Sequence, residues 1–248
     1  MRVVGVIPSR WGSTRLPGKS LLPICGKPLV QHVVERAQMC GSLDQLVVAT
    51  DDPRIMETVA GFGGLAVLTR PDHPSGTDRI AEAIDSIDAE LIVNIQGDEP
   101  LLDPKLVDTL VTHMEDKRWD MGTAAAPIHD RATLQSDSVV KVVFNHNHEA
   151  LYFSRSVIPY NRGGDGEGAV ADKSVYWRHI GLYAYRRAFL ERLVRTPPCE
   201  TESLEKLEQL RALHIGCRML VVETQEPSIG VDTPADVKKV EQLLGKTL

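Results

Sequence analysis

Cysteine is scarce in this 248-residue chain and widely scattered: Cys25, Cys40, Cys199 and Cys217 include no Cys-x-x-Cys pair. Neither a thiolate zinc site nor a disulfide framework is implied, and reduced thiols are expected. A basic excess is also missing. Lys and Arg number 28 against 34 Asp and Glu, a formal net charge of -6, which argues against a general nucleic-acid or membrane-surface binder. No apolar run approaches the roughly 18 residues of a membrane-spanning helix. The start of the chain reads as a strand and not as a signal peptide, so a cytoplasmic protein without a membrane anchor is expected. Internal repeats and low-complexity segments are absent as well. With 42% hydrophobic and 25% charged residues, what remains is an ordinary globular protein large enough to bury a core.

What the chain does have is a local basic cluster that runs against its acidic mean. Val3-Val4-Gly5-Val6-Ile7 is the near-continuous small or β-branched run of a parallel strand covered on both faces. It opens into Pro8-Ser9-Arg10-Trp11-Gly12-Ser13-Thr14-Arg15-Leu16-Pro17-Gly18-Lys19. Arg10, Arg15 and Lys19, with two glycines and two hydroxyls, suit a loop whose amides approach an anion while its side chains neutralise it. A Walker loop is excluded, because Ser13 stands where its first glycine belongs.

Farther on, strand and helix alternate. Lys27-Pro28 predicts a helix start, with Leu29, Val30, Val33, Val34 and Ala37 as its apolar stripe and Gly41 as its cap. Strands are predicted over 45–50, 65–68 and 91–95, with helices after Asp52-Pro53 and after Ser75-Gly76-Thr77. This pattern predicts an α/β fold with a mostly parallel, Rossmann-like sheet flanked by helices. Ligands in such sheets lie beyond the carboxyl ends of the strands, so the polar loops at 8–19, 70–79 and 96–100 are expected at one edge. The second half reads as an antiparallel insertion on the same sheet. It contains a hairpin from Val139–Phe144 and Ala150–Arg155, a Gly- and Asp-rich mobile loop at 161–173 that could order over substrate, and a strand around His179–Tyr185. A helix is expected from Glu202 to Leu213 with Leu204, Leu207, Leu210 and Leu213 inward, then a strand at 219–222 and a last helix after Asp232-Thr233-Pro234.

Asp98 and Asp232 follow short turns at the expected binding edge and suit a hard cation such as Mg²⁺, which asks for one or two carboxylates plus water and phosphate oxygens. Asp232 is equally readable as a helix cap, and Glu99 as a partner of Asp98 or a plain turn acid. Ser75-Gly76-Thr77 could face a base or a phosphate, or simply cap a helix. Arg155 and Arg162 suit a bidentate grip on a carboxylate, or surface charge. His179 is either a satisfied histidine or a ligand, and His146 and His148 carry no metal-site pattern.

Together these segments resemble the 3-deoxy-manno-octulosonate cytidylyltransferases, the CMP-Kdo synthetase family. The resemblance spans nearly the whole chain and continues through Val140–Val143, Ala150–Arg155, Arg178–Tyr183, Leu207–Arg211 and Gly230–Pro234. It implies a nucleotidyltransferase that activates Kdo with CTP, releasing pyrophosphate and giving CMP-Kdo for lipopolysaccharide biosynthesis. By resemblance Lys19, Arg10, Asp98 and Asp232 carry the chemistry. The nucleotide falls to Pro8, Arg10, Ser13, Arg15, Lys19, Ser75, Gly76, Thr77, Arg79, Gln96 and Asp98. The sugar falls to Arg155, Arg162, His179, Tyr183, Glu208 and Gln209, and Mg²⁺ to Asp98 and Asp232. One domain is implied: 1–130 with 215–248 would bind CTP, and 131–214 would bind the sugar and form a homodimer. Trp11 departs from the smaller aromatic or other apolar residue expected there, and Cys25 from a common Asn. The rival readings are a cytidylyltransferase for 8-amino-Kdo or a sialic acid, a glycosyltransferase of similar sheet, which usually carries Asp-x-Asp where this chain has Gly97-Asp98-Glu99, and a nucleotide-binding regulatory module.

Overall fold

A computed structural model describes residues 1–12, 16–162, 175–225 and 229–245. Strand β1 (Val3–Ser9) lies inside the main sheet, and its first five residues are all buried, as a strand covered on both faces requires. After a 3₁₀ turn at Lys19–Leu21, a small hairpin of β2 (Pro23–Ile24) and β3 (Lys27–Pro28) leads into helix α1 (Leu29–Ala37). All five residues of the expected stripe are buried. The helix begins at Leu29, because Lys27 and Pro28 pair in the hairpin, and it stops at Gln38, so Gly41 is not its cap.

β4 (Gln45–Thr50), α2 (Pro53–Gly61), β5 (Ala66–Leu68), α3 (Gly76–Ala83) and β6 (Leu91–Asn94) follow as predicted, with Asp52 and Ser75 accepting hydrogen bonds as caps of α2 and α3. Next come α4 (Pro104–His113), β7 (Met121–Pro127), α5 (Arg131–Gln135), and the hairpin of β8 (Lys141–Phe144) with β9 (Ala150–Ser154). β10 (Trp177–Arg186), α6 (Arg187–Arg195), α7 (Glu200–Glu205), α8 (Gln209–His214), β11 (Met219–Glu223) and α9 (Pro234–Leu244) complete the described chain.

The main sheet runs β11-β7-β10-β6-β1-β4-β5. β1 is parallel to β4 and β6, so the loops after all three open on one edge. β10 enters the middle of the sheet antiparallel to both β6 and β7, and β8 and β9 extend from it. The antiparallel insertion is therefore part of the central sheet. One core layer packs Val30, Val33, Ile55 and Leu110 against one face; the other packs Ile80, Ile84, Phe189 and Leu210 against the opposite face. Among the described residues no helix is long and apolar enough to cross a membrane.

The expected helix over 202–213 is two helices. Lys206 takes a left-handed backbone (φ 55, ψ 47) and ends α7. The register slip turns Leu204 to solvent at 77% exposure, while Leu207 and Leu210 stay buried. Lys141, inside β8, is wholly buried with its ammonium on the carbonyls of Ser136 (3.0 Å), Val139 (2.8 Å) and Arg155 (2.5 Å), and it ties the hairpin to the loop before it. A left-handed backbone carries a Cβ penalty of about 1–2 kcal/mol in L-residues. Lys206→Gly should therefore raise the unfolding free energy by about 1 kcal/mol, and Lys206→Val should lower it, both read by denaturant unfolding.

Candidate active site

At the carboxyl ends of β1 and β6, Pro8, Arg10, Lys19, Ser75, Gly76, Arg79, Gln96, Asp98 and Asp232 line a cavity of about 370 Å³. A smaller one of about 160 Å³ adjoins it and shares Pro8, Gly76 and Gln96 as walls; Thr77, Asn94, Tyr183, Tyr185, Glu208 and Gln209 line it as well, with Met121 and Leu193 as its apolar part. The close approach of the two strand ends explains Gly97: a Cβ there would sit 2.7 Å from the Pro8 carbonyl oxygen.

Lys19 sits at the focus. Its ammonium donates to Asp98 Oδ2 at 2.7 Å and to Asp232 Oδ1 at 3.1 Å. Burial alone would lower the Lys19 pKa, but pairing with Asp98 and then Asp232 outweighs it, and the net direction is up. The ammonium is thus charged throughout the physiological range. Asp232 is not the cap of α9. Thr233 takes that role, accepting from Asp236 N–H at 3.3 Å, so capping does not account for the Asp232 carboxylate at the cavity.

The pair also meets the requirement of a hard divalent cation. Both groups offer carboxylate oxygen, and they already converge on one positive charge, the Lys19 ammonium. Among the described residues no cluster of three or more His, Cys, Asp or Glu could hold a metal. Two carboxylates, with water and substrate oxygens completing the shell, is the arrangement Mg²⁺ favours.

The remaining candidates divide. Arg79 reaches the cavity wall, but its guanidinium is buried against Asp51 Oδ2 (2.9 Å) and Thr69 Oγ1 (2.6 Å), so it acts chiefly as a brace. Ser75 caps α3 and hydrogen-bonds Asp78, as the capping reading expects, and it also lines the cavity. The Thr77 hydroxyl donates to Glu208, joining α3 to the segment before α8. Gln96 donates to the Gly181 carbonyl at 2.8 Å, where β10 shifts register between Ile180 and Tyr183. Arg155 is not brought to either cavity: Nε is on the Glu205 carbonyl (2.8 Å) and a terminal nitrogen on the Asp137 carbonyl (2.9 Å). Arg162 lines a separate hollow with Pro159, Tyr160 and Tyr176. Ser13, Arg15 and residues 163–173 of the loop expected to order over substrate lie outside the described residues.

Sequence reading missed Asn94, buried at the end of β6, Tyr185, and the buried hydroxyl pair of Ser9 and Ser20 (2.6 Å), which closes the base of the basic loop. A polar residue ending an otherwise apolar strand was the available signal for Asn94.

His179 packs edge-on to Phe153 and beside Tyr183. The Thr123 hydroxyl lies near the carbonyls of Leu182 (2.8 Å) and Ile180 (3.1 Å), so the imidazole Nε2–H donates to Thr123 Oγ1 at 3.0 Å. Burial, and secondarily the Arg178 charge, lower its pKa from 6.5 to about 3. The unfolded chain therefore gains a proton as pH falls below 6.5, while the folded chain stays neutral until about 3. Stability from this site is complete above pH 6.5 and is lost between those values. Thermal unfolding from pH 7.5 down to about 4 should show the wild type losing Tm faster than His179→Gln; parallel pH profiles would contradict the buried neutral imidazole.

The chain matches the cytidylyltransferase family over residues 4–223. It is 47% identical to the 3-deoxy-manno-octulosonate cytidylyltransferase of Geobacter sulfurreducens, across 98% of this chain and 100% of that protein. It is 45% identical to the 8-amino-3,8-dideoxy-manno-octulosonate cytidylyltransferase of Shewanella baltica, across 98% and 99%. A solved structure of CMP:2-keto-3-deoxy-manno-octonic acid synthetase complexed with CTP superposes with a TM-score of 0.93 at 44% identity, covering 100% of both chains.

Proposed function

The chain belongs to the 3-deoxy-manno-octulosonate cytidylyltransferase family, and from that premise we propose that it transfers the CMP group of CTP to Kdo in the double cavity at the β1–β6 edge. The observation that carries this reading is the convergence of Lys19, Asp98 and Asp232 beside Arg10, next to a second, smaller lobe. A single anion-binding cavity would serve a nucleotide-binding module; two adjoining lobes serve two substrates.

The larger lobe takes CTP and the smaller takes the sugar, with Tyr183, Glu208 and Gln209 on its wall. The anomeric hydroxyl oxygen of Kdo attacks the α-phosphorus of CTP and gives up its proton to solvent, the bond from that phosphorus to the α–β bridging oxygen breaks, and pyrophosphate departs with that oxygen. Such transfers need little covalent help, so positioning and charge neutralisation dominate. Arg10 and Lys19 neutralise the phosphates, and on binding Lys19 exchanges part of its contact with Asp98 and Asp232 for phosphate oxygen. Mg²⁺, held by Asp98 and Asp232, would supply further neutralisation of the triphosphate. Gln96, at the junction of the lobes, is placed to read the nucleotide, with Pro8, Ser75, Gly76 and Thr77 forming the wall. By family resemblance Arg155 and Arg162, which line neither cavity in this structure, would grip the sugar carboxylate. Arg155 would do so by exchanging the carbonyls of Glu205 and Asp137 for that group.

The same reading places the protein in the cytoplasm, supplying CMP-Kdo for lipopolysaccharide biosynthesis. It also pairs two copies through the second half, where Leu151, Tyr152, Val157, Tyr160, Val175 and Leu204 are exposed. The 45% identity to a cytidylyltransferase for the 8-amino sugar favours one second reading, in which the acceptor carries an amine at carbon 8.

Pyrophosphate release tests the assignment. With Mg²⁺ it should require both CTP and Kdo and fail with ATP, GTP or UTP; release only with the 8-amino sugar would select the second reading. Asp98→Asn should lower turnover by about a thousandfold with the fold intact, in the range of lost transition-state charge stabilisation. Near-normal turnover in that variant would refute the role of Asp98.

A further inference from the structure

Arg10 and Lys19 lie at the two ends of the basic loop, and both line the larger cavity. The residues just inside them, Trp11 and Gly18, close the loop on itself: Gly18 N–H donates to the Trp11 carbonyl at 3.1 Å. Gly18 has the left-handed backbone (φ 68), and a Cβ there would lie 2.9 Å from Cη2 of the Trp11 indole. The absence of that carbon lets the ring lie flat against the backbone just before Lys19.

Trp11 is held from the neighbouring strand–helix corner as well, through its backbone and through its ring. The Trp11 backbone N–H donates to Asp51 Oδ1 at 3.2 Å, and Asp51 Oδ2 is fixed by the buried Arg79 at 2.9 Å. The Arg54 guanidinium stands 3.4 Å from the indole ring centroid, a cation–π contact. Arg54 is itself oriented by Asp52, which caps α2 and accepts from Nε at 2.9 Å and from a terminal nitrogen at 2.6 Å. None of these groups except Arg79 lines either cavity.

We propose that Trp11 is a positioning residue for nucleotide binding, a clasp that fixes the distance between Arg10 and Lys19, with Arg54 and Asp52 holding the clasp shut. The proposal rests on the assignment of the larger cavity to CTP. A large flat ring is what the arrangement needs, because it must span from the Gly18 backbone to the Arg54 guanidinium at once. Phenylalanine retains a π-face at that place, and alanine retains nothing. A clasp on the nucleotide loop acts on CTP and leaves the sugar lobe, built from Tyr183, Glu208 and Gln209, untouched.

Steady-state kinetics with each substrate varied in turn tests this on wild type, Trp11→Ala, Trp11→Phe, Arg54→Ala and the Trp11→Ala/Arg54→Ala double variant. Trp11→Ala should lower kcat/KM for CTP about tenfold with KM for the sugar within about twofold, and Trp11→Phe should recover most of the loss. Arg54→Ala, at an exposed side chain, should lower kcat/KM for CTP about threefold, the scale of one exposed cation–π contact. Because Arg54 acts through the indole, the double variant should be no worse than Trp11→Ala. The clasp is overturned if Trp11→Ala leaves kcat/KM for CTP unchanged, if its loss falls equally on both substrates together with a lowered Tm, or if the double variant shows both losses multiplied. A wild type that never uses CTP would instead overturn the functional assignment, and calorimetric CTP binding to wild type separates the two failures.

Discussion

One ammonium between two carboxylates holds the working edge of this molecule together. Lys19 comes from the loop after β1, Asp98 from the loop after β6, and Asp232 from the segment before α9, so one side chain joins positions 79 and 213 residues away from it. Without that charge, two carboxylates would face each other across a partly enclosed cavity, and repulsion would open the site. With it, the carboxylates are held at a spacing suited to a cation before any ligand arrives. The raised pKa of Lys19 expresses the same fact: its partners stabilise the charge more than burial penalises it.

Other cations of the chain show how far residue type alone can mislead. Arg79, Arg155 and Lys141 all carry charge, and each is absorbed by the protein's own oxygens. Arg79 is taken by Asp51 and Thr69, Arg155 by two backbone carbonyls, and Lys141 by three. A buried cation must find such partners, and the sequence states the need without naming what meets it. Lys19 differs because its partners are themselves exposed to the cavity, with Asp98 and Asp232 side chains 30% and 51% accessible.

The parallel half of the sheet was legible because β1, β4 and β6 are runs of branched apolar residues, and a strand buried on both faces has no other way to be written. β7 was not legible. Met121-Gly122-Thr123-Ala124-Ala125-Ala126-Pro127 contains one β-branched residue, and its small side chains reflect close packing: a Cβ on Gly122 would meet Leu110 at 2.8 Å and Met114 at 2.9 Å. The break at Lys206 was hidden for the opposite reason, since the leucine spacing from 204 to 213 fits a continuous helix and only backbone geometry rejects it. At the site, the edge and most of the larger lobe were readable from glycine, hydroxyl and carboxylate placement after strands. The inner lobe needed Asn94 and Tyr185, which look like ordinary strand residues until β10 is set beside β6.

That insertion of β10 is what adds a second hollow beside the larger cavity. Because β10 runs antiparallel between β6 and β7, Tyr183 lies opposite Asn94, and the register shift near Gly181 offers a carbonyl to Gln96. Gln96 therefore forms the wall between the lobes while anchored to the strand that lines the second one. Pro8 and Gly76 share that wall, and Gly76 has ordinary van der Waals clearance from the proline ring, a Cβ there lying 3.6 Å from Cγ. The partition is thin because it is made of one proline ring, one glycine and one amide side chain. A thin partition sets the two hollows side by side at one strand edge, so the sheet itself fixes their relative position.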